Sequence, residues 1–382
     1  RAGMVVVNTN PLYTERELEH QLNDSGARVL VVQANVAEVA SKVVAKTKVE
    51  QVVLTEIADL HPVPKRWLVN GVVKYVKKMV PKVHFSNVIK FNEALRRGAT
   101  QAFTPVDVSL DDLAMLQYTG GTTGLAKGAM LSHGNIVANV MQLDGFFETF
   151  GIEAQGSVFM QPLPVYHIYA FTISMYSLKK GAHTLFIPNP RDLGSVVDAF
   201  EQYKPTVFCG LNTLFVALCN DPRFQSLTFE NLALTMSGGM ALTQDAAERW
   251  AEVTECKVYE GYGLTETSPT ATSNPGNGRQ LGTIGIPVPQ TEVKTVNEHG
   301  ETLGFGDAGE LCIKGPQVMQ GYWQRPEATA EVLDESGWFS TGDVAVIQPD
   351  GYLKIVDRIK DMIIVSGFNV YPNELEDVCA KH

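Results

Sequence analysis

Short β-type apolar runs alternate with amphipathic segments along most of this chain, and that alternation leaves few architectures open. Met4 to Val7 is such a run, closed by the turn cluster Asn8-Thr9-Asn10-Pro11. Thr14-x-x-Glu17 reads as a capping box, and Leu18 and Leu22 continue a helical face to Gly26. Arg28 to Gln33 reads as a strand, Val36 to Lys46 as a helix and Gln51 to Thr55 as a strand. The rhythm returns at Val158 to Gln161, His183 to Ile187, Leu193 to Tyr203, Thr206 to Cys209, Leu211 to Cys219 and Leu232 to Met236. It predicts an α/β fold with parallel-rich sheets and flanking helices. Ligands of such sheets lie beyond the carboxyl ends of the strands, where these runs close on Gly, Pro, Asn or Ser.

From about Gly282 the texture changes. Glycine and proline become frequent, and Glu292 to Val296, Glu310 to Lys314, Val344 to Gln348 and Tyr352 to Val356 read as strands of a β-rich subdomain, 282–357. Asp350-Gly351 is a hairpin turn signal. The charge cluster Asp357-Arg358-Ile359-Lys360-Asp361 marks a boundary or hinge, closing a large region at 1–357.

At 382 residues the chain has room for two domains, and 45% hydrophobic with 19% charged residues is ordinary for a globular protein. A net charge of −11 argues against non-specific nucleic-acid binding. Five scattered cysteines without a C-x-x-C pair read as small buried hydrophobes in a reducing compartment. No apolar stretch is long enough to span a bilayer. The sequence opens on Arg1 with no signal-peptide pattern and reads as a fragment cut at both ends. Over Lys65 to Val83, Leu68, Val72, Val76, Met79 and Val83 recur at helical steps while Lys74, Lys78 and Lys82 line another face. That pattern fits a basic helix on an anionic membrane surface, and equally a surface helix packed on its own domain.

The stretch richest in chemistry runs from Tyr118 to His133. Thr119, Gly120, Gly121, Thr122, Thr123, Gly124, Lys127 and Gly128 stand between an apolar run and an amphipathic one. Glycine admits close backbone approach, threonine adds hydroxyl donors and lysine adds a point charge, so a strand–loop–helix phosphate cradle is expected. The spacing is neither G-x-x-x-x-G-K-[ST] nor G-x-G-x-x-G, and a plain Gly/Thr turn is the bland alternative. Met236-Ser237-Gly238-Gly239-Met240 suits close approach of a flat ligand, or merely a tight turn. Tyr259 to Thr267 gathers an aromatic face, hydroxyls and Glu266, a carboxylate that could hold Mg²⁺ or simply be solvated. Asp343 could accept from ribose hydroxyls or close a turn, and His167 could line a pocket or sit satisfied in the core.

In this order, those stretches resemble the adenylate-forming superfamily of acyl-CoA synthetases, luciferases and peptide-synthetase adenylation domains. Gln117 to Gly124, Pro162 to Tyr169 and Val365 to Glu374 are most similar to bacterial long-chain fatty acyl-CoA synthetases. The resemblance covers Met4 to Cys379 and implies a small α+β C-terminal domain beginning at 358–382. It implies an ATP-dependent ligase that makes acyl-AMP, releases pyrophosphate and transfers the acyl group to CoA, with Mg²⁺ as metal.

Carried over, Thr119, Gly120, Gly121, Thr122, Thr123, Gly124 and Lys127 would hold the β- and γ-phosphates. Thr265 would meet the α-phosphate region and Glu266 the Mg²⁺. Gly238, Gly239, Met240 and Gly261 would frame adenine, with Tyr262 stacked on it, and Gly263 would belong to the same cofactor site. Asp343 and Arg358 would bind ribose, Lys360 would be the hinge, Gly367 would border the CoA channel and His167 would sit by the acyl carboxylate.

The pattern departs from the family in two places. Ala126 stands where relatives often carry Pro. Relatives also continue past His382 to a second lysine, so this chain is expected to bind ATP weakly and adenylate poorly. The implied partners are fatty acid, ATP and CoA, without nucleic acid; a homodimer and a peripheral contact through 65–83 on the cytoplasmic face of the inner membrane stay open. A ligase for medium-chain, aryl or other acids, or a non-catalytic binding fragment, are the alternatives.

Overall fold

The structure, a computed structural model, describes residues 2–119, 126–153, 155–361, 363–365, 368–370 and 372, with the backbone alone at 363–365 and 368–370. Gly120, Gly121, Thr122, Thr123, Gly124 and Gly367 lie outside the described residues. The fold is α/β and divides into two compact units, Arg1–Ser109 with Leu113–Ala129, and Leu110–Asp112 with Met130–His382.

In the first unit, strand β1 (Val6–Asn8) leads to helix α1 (Glu15–Ser25), which starts on the capping box read from sequence. The Thr14 amide donates to Glu17 at 2.8 Å, and the Glu17 amide donates to Thr14 Oγ1 at 3.4 Å. Gly26 ends the helix at φ 66°, a conformation that a Cβ disfavours. Strands β2 (Val29–Gln33), β3 (Gln51–Thr55) and β4 (Val88–Lys90) pair in parallel in that order. Leu18 and Leu22 of α1 pack with Leu30, Val52 and the Ala37, Ala40 and Val43 face of α2 (Ala37–Val43).

The helix expected over Lys65 to Val83 ends early. Helix α3 (Lys65–Gly71) passes into a π turn at Val72–Val76, and residues 77–83 are not helical. Glycine at 71 weakens helix continuation by about 1 kcal/mol relative to Ala. Lys78 adopts a left-handed φ of 52°, and Pro81 has no amide to extend a helix. Helix α4 (Phe91–Ala99) follows β4 without a loop, so no turn residues announce it. Strand β5 (Leu113–Tyr118) pairs in parallel with β1, and β6 (Gly128–Ser132) is its other neighbour.

The strand–loop–helix cradle expected from sequence is therefore a strand–loop–strand. Helix α5 (His133–Glu148) begins only after β6, on a Ser132–Asn135 capping box. The short apolar run Gly128–Ser132 carries no period of its own, which is why it reads as part of the loop.

The second unit is built on a seven-stranded sheet. Its parallel part comprises β7 (Val158–Gln161), β8 (His183–Phe186), β9 (Val207–Gly210), β10 (Leu234–Ser237) and β11 (Val258–Gly263), in the order β11-β10-β9-β7-β8. Antiparallel β12 (Thr270–Ser273) and β13 (Ile286–Pro287) extend the β11 edge. On one face, α5 and α6 (Ile168–Lys179) cover Phe159, Val207, Cys209, Leu234 and Met236. On the other, α7 (Leu193–Tyr203), α8 (Asn212–Cys219) and α10 (Gln244–Thr254) cover Met160, Phe208 and Val258; α9 (Pro222–Gln225) adds Phe224. Trp250, fully buried, stacks on Phe208 at 5.4 Å and donates to Thr235 at 3.0 Å, so its polar atom is satisfied in the core. Because α6 and α7 lie on opposite faces, the winding reverses between β7 and β9, the kind of switch point beside which ligands of open α/β sheets bind.

The β-rich stretch is a four-stranded antiparallel sheet of β14 (Glu292–Val296), β15 (Ala308–Lys314), β16 (Phe339–Ile347) and β17 (Leu353–Arg358), with α11 (Pro326–Ala330) inserted before β16. Asp350-Gly351 makes the β16–β17 turn, with Gly351 at φ 87°. The boundary expected at 358 falls on the last residue of β17, before the ribbon β18 (Ile363–Val365) and β19 (Phe368–Val370).

Candidate active site

The carboxyl ends of β10 and β11 bring the glycine-rich stretches together. A Cβ on Gly238 would stand 3.4 Å from the Gly261 carbonyl and 3.6 Å from the Tyr169 ring, so two strand ends and the first turn of α6 converge there. Gly239 turns the chain at φ 83°, and Met240 is 43% exposed beside it. At Gly238 the nearest atoms are thus one backbone carbonyl and one aromatic ring.

Gly263 has a different cause. A Cβ there would lie 1.9 Å from the Pro269 carbonyl, at the register shift between β11 and β12. Strand pairing by itself is enough to require that glycine.

Tyr262 projects from β11 to the four-stranded sheet, where its hydroxyl donates to Asp343 Oδ2 at 2.5 Å. Burial and the neighbouring carboxylate hold this hydroxyl well above the ordinary tyrosine range, so it remains a donor. Asp343 pairs with Arg358 in the β16–β17 register, and Arg358 Nε stands 3.5 Å from Asp343 Oδ1. Burial pushes the Asp343 carboxyl up, while the Tyr262 hydroxyl, Arg358 and Lys360 pull it down. A carboxylate has about four lone-pair directions. With one taken by Tyr262, it retains acceptors for a vicinal diol.

Glu266 lies in the 3-10 turn Thr265–Thr267, 8% exposed, and its Oε1 accepts from the Tyr322 hydroxyl at 2.7 Å. The Glu266 carbonyl accepts from Met319 at 2.8 Å. No group of three or more His, Cys, Asp or Glu side chains gathers among the described residues. A hard cation here would be held by Glu266 and ligand oxygens, the usual manner of Mg²⁺ with phosphates. Thr265 stands beside Glu266 in the same turn.

In the first unit, the Thr119 amide donates to the Lys127 carbonyl at 3.0 Å and closes the base of the Gly/Thr loop. His167 caps α6, its Nδ1 accepting from the Tyr169 amide at 3.3 Å, so that nitrogen is engaged in the helix start. Lys360 stands in the turn after β17.

Two residues escaped the sequence reading. Tyr322, in Gly321-Tyr322-Trp323, carries no local signal for its contact with a residue 56 positions away. Glu260 lies in the Tyr259 to Thr267 stretch without a role of its own in the sequence reading, but its Oε1 accepts from the Leu242 amide at 3.2 Å and ties down the loop that follows β10. Burial raises the Glu260 carboxyl to about 7, against the pull of the Leu242 amide and Arg279.

A match to the family described as AMP-binding enzyme covers residues 1–323. The long-chain-fatty-acid–CoA ligase of Salmonella typhimurium is 50% identical over 386 residues, taking in 100% of this chain and 68% of that protein. The protein of the same name from Bacillus subtilis is 36% identical over 392 residues, with the same two coverages of 100% and 68%. Among solved structures, ATP-bound MatB from Rhodopseudomonas palustris is similar at a TM-score of 0.81 and 31% identity, covering 98% of this chain and 68% of that one.

Proposed function

Because this chain belongs to the AMP-binding enzyme family, we propose that it acts as a long-chain-fatty-acid–CoA ligase with ATP and CoA as co-substrates and Mg²⁺ as metal. A fatty-acid carboxylate oxygen attacks the α-phosphorus of ATP, and the bond to the β-phosphate oxygen breaks, releasing pyrophosphate. The CoA thiolate then attacks the acyl carbonyl, and the bond to the AMP oxygen breaks. The acid is a weak nucleophile facing an anionic phosphate, so positioning and charge neutralisation carry the catalysis.

In this reading Gly238, Gly239, Met240 and Gly261 frame adenine and the Tyr262 ring stacks on it. Asp343 and Arg358 take the ribose hydroxyls. Thr265 meets the α-phosphate, and Thr119 and Lys127 belong to the loop that holds the β- and γ-phosphates. Glu266 would hold Mg²⁺, which would supply charge neutralisation at the phosphates. His167 stands by the acyl carboxylate, Lys360 is the hinge and Gly367 borders the CoA path.

The observation that carries the reading is the Asp343 carboxylate, held between Tyr262 and Arg358 beside two converging glycine-rich strand ends. Pyrophosphate release with a panel of long-chain, medium-chain, aryl and amino acids tests it. Palmitate is expected to lead, with a CoA thioester as product. Faster release with an aryl or amino acid would replace the acyl assignment.

We also propose peripheral contact with an anionic membrane through 65–83. No described helix is long and apolar enough to cross a membrane. Between Leu60 and Asn92 the chain carries Lys65, Arg66, Lys74, Lys77, Lys78, Lys82 and Lys90 and no Asp or Glu, although its net charge is −11. Trp67 (68%), Leu68 (68%), Tyr75 (71%) and Val76 (73%) are exposed in the same stretch. Aromatic and aliphatic side chains ringed by lysines suit the headgroup region of an anionic bilayer. The helix is shorter than the sequence pattern suggests, so these side chains, and not one long apolar stripe, would make the contact. The same reading allows two copies to pair, which sedimentation velocity would decide.

A further inference from the structure

We propose that Thr172 and Gln317 are positioning residues that hold the turn Thr265–Ser268 from two sides, and so fix where Thr265 and Glu266 meet the α-phosphate of a nucleotide. The proposal rests on the ligase reading in placing that phosphate at Thr265.

The turn ends in a backbone conformation that serine disfavours. Ser268 has a φ of 69°, in the left-handed region where a Cβ crowds the neighbouring carbonyl. Such a conformation persists where the surroundings over-determine it. Ser268 is fully buried, and its carbonyl and its hydroxyl are both engaged from outside the turn. The Thr172 hydroxyl, on α6, donates to the Ser268 carbonyl at 2.8 Å. Ser268 Oγ donates to the Gln317 carbonyl, also at 2.8 Å.

Both supports are themselves fixed. Thr172 is fully buried within α6. Gln317 is fully buried as well, and its side-chain amide is paired at both ends. Its Nε2 donates to Thr291 Oγ1 at 2.7 Å, and its Oε1 accepts from Gln142 of α5 at 3.1 Å. Nearly one turn before Gln142, Asn139 brackets Thr270, just beyond the turn. It donates to the Thr270 carbonyl at 2.7 Å and accepts from the Thr270 amide at 3.1 Å. Helix α5 therefore holds both the chain that leaves the turn and the segment that carries Gln317.

That segment reaches Glu266 directly. The Met319 amide donates to the Glu266 carbonyl, and the Tyr322 hydroxyl donates to its carboxylate. One stretch of chain thus governs the main chain and the side chain of Glu266. A buried polar network of this kind rigidifies what it surrounds when its members are paired. Groups already aimed at a phosphate give up less freedom when it binds, and that ordering otherwise subtracts from affinity. The benefit falls on the phosphate alone, so AMP should feel the support and adenosine should not.

Calorimetric titration of AMP and of adenosine, both with Mg²⁺, into the parent and three variants tests this, with thermal melts of each. Thr172→Val removes the hydroxyl from the Ser268 carbonyl, and Ser268→Ala removes the bond to Gln317. Each is expected to weaken AMP binding about three- to tenfold and to leave adenosine binding within about twofold. Thr172→Ser keeps the donor and should recover to within about twofold of the parent. The first two variants cut the network at different bonds, so one that does not fold leaves the other to decide. Unchanged AMP affinity in them overturns the proposal. Equal losses for AMP and adenosine also overturn it, because they mark a purely structural role. A parent that binds adenosine and gains nothing from the phosphate overturns the placement of the α-phosphate at Thr265 itself.

Discussion

Tyr262 and Asp343, 81 residues apart, meet through a 2.5 Å hydrogen bond from the tyrosine hydroxyl to Oδ2 of the carboxylate. The bond joins the end of β11 to β16, and so sets an aromatic face and a carboxylate at one fixed spacing. A base and a ribose are also separated by a fixed spacing, so under the proposed function this pair would meet a nucleoside as a unit.

Tyr262→Phe isolates that contribution, because the ring remains and only the hydroxyl is lost. ATP affinity is expected to fall about three- to tenfold, the scale of a typical single hydrogen bond at roughly 0.7–1.4 kcal/mol. The Asp343 carboxyl, already raised by burial, should rise further once its donor is gone. The acid-side loss of ATP binding should therefore begin at higher pH in the variant. Calorimetry across pH reads both effects.

Glu260 predicts a pH dependence of stability. Its carboxyl stands at about 7 in the fold against an ordinary value of 4.5. With the folded value raised, the folded state binds more protons between those two values. Stability from this group is full below pH 4.5 and is lost as pH rises through about 7. Glu260→Gln keeps an acceptor for the Leu242 amide and cannot ionise. The variant should melt higher than the parent above neutral pH, and the advantage should shrink on acidification. Melting curves of both proteins across pH check the sign.

Gly263→Ala should be strongly destabilising, since its Cβ would lie 1.9 Å from the Pro269 carbonyl. Backbone must move to relieve that clash, at a cost of at least about 2 kcal/mol. Gly151→Ala is the control: φ is 62° with nothing within 4 Å, so only the left-handed backbone is penalised, by about 1–2 kcal/mol. Denaturant unfolding of the two variants should rank them in that order.

For the basic stretch, reversing Lys74, Lys77, Lys78 and Lys82 to Glu should abolish cosedimentation with vesicles rich in phosphatidylglycerol. Each lysine near such a surface contributes about 1 kcal/mol, roughly fivefold in binding. Trp67→Ala should weaken binding with little change in its salt dependence, because the ring acts by insertion and not by charge. Unchanged sedimentation of the charge-reversed protein would remove the membrane assignment.

Local chemistry made much of the fold readable in advance. The Thr14–Glu17 capping box, the Asp350-Gly351 turn and the strands ending at Gln161 and Val296 depend on neighbours a few residues away, and the structure bears these out. The glycine-rich stretches were equally visible, because glycine leaves its mark wherever it stands. What needed tertiary structure were contacts between distant strands and helices. Sequence could single out Tyr262 and Asp343 separately, but only β11 and β16 together make them a pair. Nothing around His20, Asp24 or Tyr322 distinguishes them from ordinary surface or core residues, since their partners lie 106, 94 and 56 positions away. The helix over Lys65 to Val83 fails for the matching reason: a periodic pattern sustains a helix when a core receives its apolar face, and Leu68, Val76 and Met79 remain exposed. Sequence determined which elements could form and which residue types could carry chemistry; the register of the sheets and the packing of α1 decided which of those residues stand in contact.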